Sequence, residues 1–130
     1  MPSRAATTAI QAPQPAVASP QKRKGDGAER EAAALLSDLL GVPVRRQLGA
    51  GRQDDVGDLD GVPDHVIQVA SWADVAAAAR IKPPQAEQQR RNAAATHAAT
   101  LVRFRGGTWR VVLTLEQWSA YLLPSTEQPQ

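Results

Sequence analysis

The 130-residue sequence has no cysteine, which excludes disulfides and thiolate metal sites. Histidine is scarce as well. His65 and His97 are the only two, too few for a histidine-based zinc site without carboxylates. Aromatic residues make up 4% of the chain, and Trp72, Phe104, Trp109, Trp118 and Tyr121 supply all of them. With so few rings, core or helix–sheet packing is the expectation for them, ahead of a base-stacking surface. No apolar run approaches the roughly 20 residues that a membrane span requires. Residues 1–20 lack the apolar centre of a signal peptide. These absences predict a soluble, cytoplasmic protein with no membrane partner. A large charge excess is missing too: 15 Lys and Arg face 13 Asp and Glu, a formal net charge of +2. That balance permits a nucleic-acid partner without demanding one.

What is present fits one domain. Residues 1–24 are rich in Ala, Pro, Gln, Ser and Thr and end in Lys22-Arg23-Lys24. Such a tail buries little and is expected to be disordered. Residues 25–123 form the expected folded domain, and 124–130 a frayed end. The stretch "DGAEREAAALLSDLLG" predicts a helix with Asp26 as N-cap, Glu29 closing a capping box and Gly41 as the stop. Ala28, Ala32, Leu35, Leu36, Leu39 and Leu40 form its apolar stripe. Residues 42–48 read as a strand, followed by a polar, glycine-rich loop and a short extended piece near Asp58. "HVIQVAS", 65–71, is the next strand. Ser71 and Asp74 open a helix to about Ile81, where Pro83-Pro84 is expected to break it and a new helix to start. "AATLVRF" and "WRVVLTL" predict a hairpin across Gly106-Gly107, and Thr114 with Gln117 caps a last helix. This order predicts an α/β fold, a mixed sheet of about five strands flanked by helices.

The chemistry centres on one strand. Alternation puts Val66, Gln68 and Ala70 on one face, and Ile67 and Val69 on the other. Asp58 stands upstream, between Gly57 and Gly61. If 57–61 pairs with 65–71, Asp58 and Gln68 approach each other. Glu29, at the edge of the helical stripe, can then come down on them, while Glu31 projects farther out and is expected in solvent. Two carboxylates and an amide oxygen together suit a hard cation such as Mg²⁺. Ordinary roles compete on equal terms: Glu29 in a capping box, Asp58 as a turn residue, Gln68 as a polar group on an exposed strand face.

With Glu29, Asp58 and the Gln68-Val69-Ala70 strand in this order, the chain resembles the PD-(D/E)xK nuclease superfamily. In more detail, "KGDGAEREAAALLSDLLG", "VRRQLGAGRQDDVGDLDGVPDHVIQV" and "QRRNAAATHAATLVRFRGGTWRVVLTLEQW" are similar to small Holliday junction resolvase-like proteins of actinobacterial phages. The resemblance spans about residues 24–120. It implies a restriction-endonuclease-like core and a Mg²⁺- or Mn²⁺-dependent endodeoxyribonuclease acting on branched, four-way-junction DNA as a homodimer. It assigns catalytic positions 29, 58, 68 and 70, with Glu29, Asp58 and Gln68 around the metal. The family pattern carries Glu-x-Lys where this chain has Gln68 and Ala70. An amide in place of a carboxylate weakens cation binding, and Ala70 has no charged head group. Weak or absent cleavage is therefore expected, with a non-catalytic DNA-binding protein on the same scaffold as the alternative. The changes fit either a natural relative or a deliberately inactivated form. Lys82 or Arg80, on the following helix, are the basic groups placed to substitute. On this basis Gln68→Glu with Ala70→Lys is expected to raise cleavage.

Arginine outnumbers lysine, as suits bidentate phosphate contacts. Lys22, Arg23, Lys24, Arg46, Arg52, Arg90 and Arg91 are the candidate DNA contacts. Arg52 lies in a glycine-rich loop whose backbone can approach a phosphodiester. Arg103, Arg105 and Arg110, on the hairpin, are expected to be solvated or paired with acids.

Overall fold

The computed structural model describes residues 20–47 and 57–124, with side chains from residue 26 onward. Among them are three helices, α1 (Pro20–Leu40), α2 (Val75–Ala93) and α3 (Leu115–Leu122). Five strands accompany them: β1 (Arg45–Arg46), β2 (Leu59–Asp60), β3 (His65–Ala70), β4 (His97–Phe104) and β5 (Thr108–Val112). They form one mixed sheet in the order β1-β2-β3-β4-β5. Neighbours run antiparallel except β3 and β4, which are parallel and joined by α2 as the crossover. The α/β fold with a five-stranded mixed sheet and flanking helices is the one the sequence predicts.

The alternation of β3 sets the layers. Ile67 and Val69, with Leu59 and Leu101 from neighbouring strands, pack under Ala28, Ala32 and Ala33 of α1. Val66 and Ala70 face the other way, against Ala86 and Ala78 of α2. Alanines at these contacts bring the helix backbone close to the sheet, and interiors packed to crystal-like density leave little room for larger groups there.

Several local expectations change. α1 starts at Pro20, a residue suited to a first helical position, so Lys22–Lys24 lie on helical backbone and Asp26 is not a cap. Arg46 takes the Asp26 carboxylate instead, at 2.9 Å. The leucine stripe of α1 divides. Leu36 touches the core cluster, whereas Leu35, Leu39 and Leu40 are exposed, Leu39 by 81%. Of the strand expected over 42–48, the described residues keep Arg45–Arg46, and on its N-terminal side Ser37 of α1 takes the main chain of Val44. Its Oγ donates to Val44 O at 3.0 Å and accepts from Val44 N–H at 2.8 Å.

The largest departure is α2. Asp74 caps it as expected, accepting from Ala77 N–H at 2.9 Å, but the helix runs unbroken through Pro83 and Pro84. Proline removes a donor and normally kinks a helix. The N–H groups that the prolines lack would have bonded Ala79 O and Arg80 O, and two buried glutamines instead anchor the neighbouring carbonyls from outside the helix. Gln117 Nε2 donates to Pro83 O at 3.0 Å and Gln68 Nε2 to Lys82 O at 3.1 Å. Pro83 is itself fully buried, so packing holds the turn in place. Tertiary contacts override the local signal.

Other expectations hold. Gly41 closes α1 with its N–H on Ser37 O at 2.8 Å. The β4–β5 hairpin pairs Phe104 with Thr108 across the glycines, and Thr114 and Gln117 form a reciprocal capping box. Glu31, expected in solvent, instead bridges helix and hairpin. It accepts from Arg103 Nε at 2.9 Å and Trp109 Nε1 at 2.6 Å. Trp72 and Trp118 are exposed, so core packing is the fate of Trp109 but not of these two. Residues 1–19 and 125–130 lie outside the described residues.

Candidate functional site

Gly57 sets the position of the first acid. Its φ is +101°, and a Cβ there would stand 3.0 Å from the carbonyl oxygen of Ile67. Only glycine lets the chain lie this flat against β3. Asp58 follows and is locked between two strands. Its N–H donates to Ile67 O and its carbonyl accepts from Gln47 N–H, both at 2.8 Å. Its Oδ2 accepts from Val69 N–H at 2.8 Å. The carboxylate is thus bonded to the main chain of the residue directly after Gln68, through pairing of 57–61 with β3 (Leu59 opposite Ile67).

Gln68 is not on an exposed face. It is 4% exposed, beneath α2. Its amide orientation follows from its partners. The nitrogen donates to Lys82 O and the oxygen accepts from Lys82 Nζ, each at 3.1 Å. The Lys82 ammonium also lies 5.5 Å from the centroid of the Trp72 ring, within cation–π range. Lys82 rather than the exposed Arg80 reaches the strand. Thr100, the β4 partner of Gln68, is wholly buried, and its Oγ1 has no hydrogen-bond partner among the described residues. Trp72 and Thr100 carried no sequence signal for the site. One needs the position of α2, the other the β3–β4 register.

The third expected group stands elsewhere. Glu29 accepts from Arg46 Nε at 3.0 Å. Arg46 pairs in the sheet with Leu59, a member of the α1 cluster, so Glu29 is held on the α1 side. Asp58 and Gln68 are brought alongside each other, and Gln68 lies on the α2 side. Ala70 is 1% exposed and packed with Ala78 and Val102, both fully buried. No space for a lysine head group remains there.

The described donors suit a divalent cation poorly. Gln68 Oε1 already faces an ammonium, Glu29 is neutralised by Arg46, and Asp58 spends one oxygen on a backbone N–H. Among the described residues no three His, Cys, Asp or Glu stand close enough to hold a metal. One part-committed carboxylate and an amide oxygen that already faces an ammonium are a poor set for Mg²⁺ or Mn²⁺, whose binding is mainly Coulombic.

The candidate DNA contacts divide as well. Arg46 is committed to Asp26 and Glu29. Arg90 is paired with Glu87 at 2.8 Å and donates to Ala95 O at 2.9 Å, a helix-end clamp. Arg91 is exposed and donates to Gln88 Oε1 at 3.4 Å. Arg52 and its glycine-rich loop lie outside the described residues, as do the side chains of Lys22, Arg23 and Lys24. On the hairpin, Arg103 pairs with Glu31, and Arg110 lies over Phe104 with 4.5 Å to the ring centroid.

At the far end of β3 stands a second polar group. Asp64 takes the N–H of Thr96 at 2.9 Å and also its hydroxyl. The Thr96 hydroxyl, then its N–H, holds the Asp64 carboxyl below its ordinary range. His97 stacks on Tyr121 with centroids 4.0 Å apart, and His65 Nδ1 lies 2.9 Å from Pro63 O. This set ties β3 to β4 and α3 and is structural.

Compared with protein-family models, with curated proteins and with solved structures, the chain gives no match. Among the described residues no helix is long and apolar enough to cross a membrane.

Proposed function

We propose that this chain is a branched-DNA-binding protein built on a nuclease-type scaffold of the Holliday junction resolvase kind, with weak or no phosphodiester cleavage. One observation carries the reading. The Asp58 carboxylate is bonded to β3 beside the buried Gln68, and α2 brings the Lys82 ammonium to that same amide. The Lys82 ammonium, aimed by the Gln68 amide, is the group here that can hold a phosphodiester oxygen, while the Asp58 carboxylate is spent on fixing the neighbouring strand. The resemblance supplies the substrate class. Cleavage stays low because the described donors make a poor divalent-cation site.

A four-way junction is two-fold symmetric, which favours a homodimer as its partner. Leu39 of α1 and Val111 of β5, 81% and 58% exposed, support the hairpin side as the surface for a second copy. Leu39→Glu should then shift a dimer to monomer in light scattering. A cytoplasmic location belongs to the same reading.

The test is gel-shift titration of a four-way junction and a matched linear duplex over a salt series, followed by incubation with Mg²⁺ or Mn²⁺. Junction binding that weakens steeply with salt, with little or no cutting, is expected. Absence of salt-dependent DNA binding would overturn the reading. Rapid cutting would overturn the low-activity part alone.

A further inference from the structure

We propose that Lys82 is the fixed cation of the Asp58–Gln68 site and binds a backbone phosphate of DNA directly, where a divalent ion would otherwise be needed. The inference rests on the DNA-binding reading above and adds the residue and the metal independence. Three features of the site lead to it.

The strand itself cannot carry the cation. Ala70 shares a face with Gln68, but it lies against Ala78 and Val102 with no room for a longer side chain. α2 runs over the same face and delivers an ammonium from above. Its close approach, which buries Ala70, is what brings Lys82 within 3.1 Å of Gln68 Oε1. The same packing thus excludes a lysine from position 70 and supplies one from position 82.

The charge of Lys82 is also not cancelled by any described acid. Among the described residues its ammonium meets an amide oxygen and the Trp72 ring, and no carboxylate pairs with it. An ammonium has three donors, and Gln68 occupies one. The amide therefore aims the head group without neutralising it, as a glutamate at position 68 would not. Lys82 is of intermediate exposure and Trp72 is exposed, so this margin of the sheet borders solvent. A partly desolvated cation held at two points is pre-organised for a phosphate oxygen.

The experiment is fluorescence anisotropy of a labelled four-way junction in EDTA, then in Mg²⁺, over a salt series. Wild-type affinity should be the same in both. Lys82→Met, which keeps the stem beside Trp72, should weaken binding about 10- to 100-fold, the loss typical of a charged hydrogen bond. It should also lower the log–log salt slope by about one. Lys82→Arg should retain most of the affinity. Gln68→Glu should weaken binding in EDTA, since the new carboxylate neutralises Lys82. Thermal denaturation checks folding, and Lys82→Gln replaces the methionine variant should that one not fold. Unchanged affinity and slope in the Lys82 variants, or a wild type that needs Mg²⁺ to bind, would overturn the proposal while leaving DNA binding intact. A wild type that binds no DNA at all would instead remove the functional reading beneath it.

Discussion

The two faces of β3 are built on different rules. On the α1 side, Ile67 and Val69 are ordinary large apolar residues, covered by alanines of the helix and by Leu59 and Leu101. On the α2 side, Ala70 is small and Gln68 is polar, yet both are as deeply buried. The first face uses volume to exclude water. The second uses closeness, and closeness leaves every buried polar group dependent on a named partner. Gln68 finds both of its partners on one residue, Lys82. Buried area alone therefore does not describe this sheet: one side is a core, and the other holds a helix at a set distance with a charge at its margin.

The sharpest way to break that comparison is Ala70→Lys. It forces a charged side chain under Ala78, and a loss of about 3–5 kcal/mol is expected from overpacking and burial of charge. Urea denaturation measures it. A stable Ala70→Lys protein would show that the α2 face has slack. The cleavage rescue expected from Gln68→Glu with Ala70→Lys is for the same reason compromised by folding.

Ile67→Ala probes the opposite face. Deleting a buried branched side chain between α1 and the sheet should cost about 2–4 kcal/mol. A loss well under 1 kcal/mol would mean that α1 is only loosely seated. Gln117→Ala tests the proline step of α2. It removes the donor to Pro83 O and one half of the capping box, at a cost of about 1–2 kcal/mol in the same denaturation assay.

The smallest effect concerns pH. Arg103, followed by Trp109, holds the Glu31 carboxyl below its ordinary value. A carboxyl depressed in the folded state stabilises fully above its unfolded pKa and loses that contribution as pH falls through the folded one. Stability should thus decline below the usual carboxylate range. Glu31→Gln should flatten that decline, and because Glu31 is partly exposed the difference should stay under about 1 kcal/mol. Melting temperatures from pH 7 downward test it. Identical profiles would show that the bridge between α1 and the hairpin adds nothing.

Much of this molecule is legible in its residues. Period-two alternation assigns the faces of β3 correctly, the pairing of 57–61 with β3, which the sequence leaves as a condition, forms, the hairpin follows from its two glycines and the last helix from its cap. The proline pair is where local chemistry misleads, because the burial of Pro83 and the anchoring of α2 by two distant glutamines seat the helix although the prolines lack two of its N–H donors. Glu29 shows the same limit. Helix geometry places it at a stripe edge, but the choice of Arg46 as partner depends on where β1 settles.

By itself the chain determined the order of most of its elements, the alternation of β3 and the presence of an amide where an apolar residue would be simpler. These are local properties, governed by side-chain period and backbone preference. Only the tertiary structure decided that Gln68 is buried, that Ala70 has no room, and that the nearby ammonium comes from α2. Those outcomes depend on how closely a helix lies on a sheet, a distance set by packing between residues far apart in sequence.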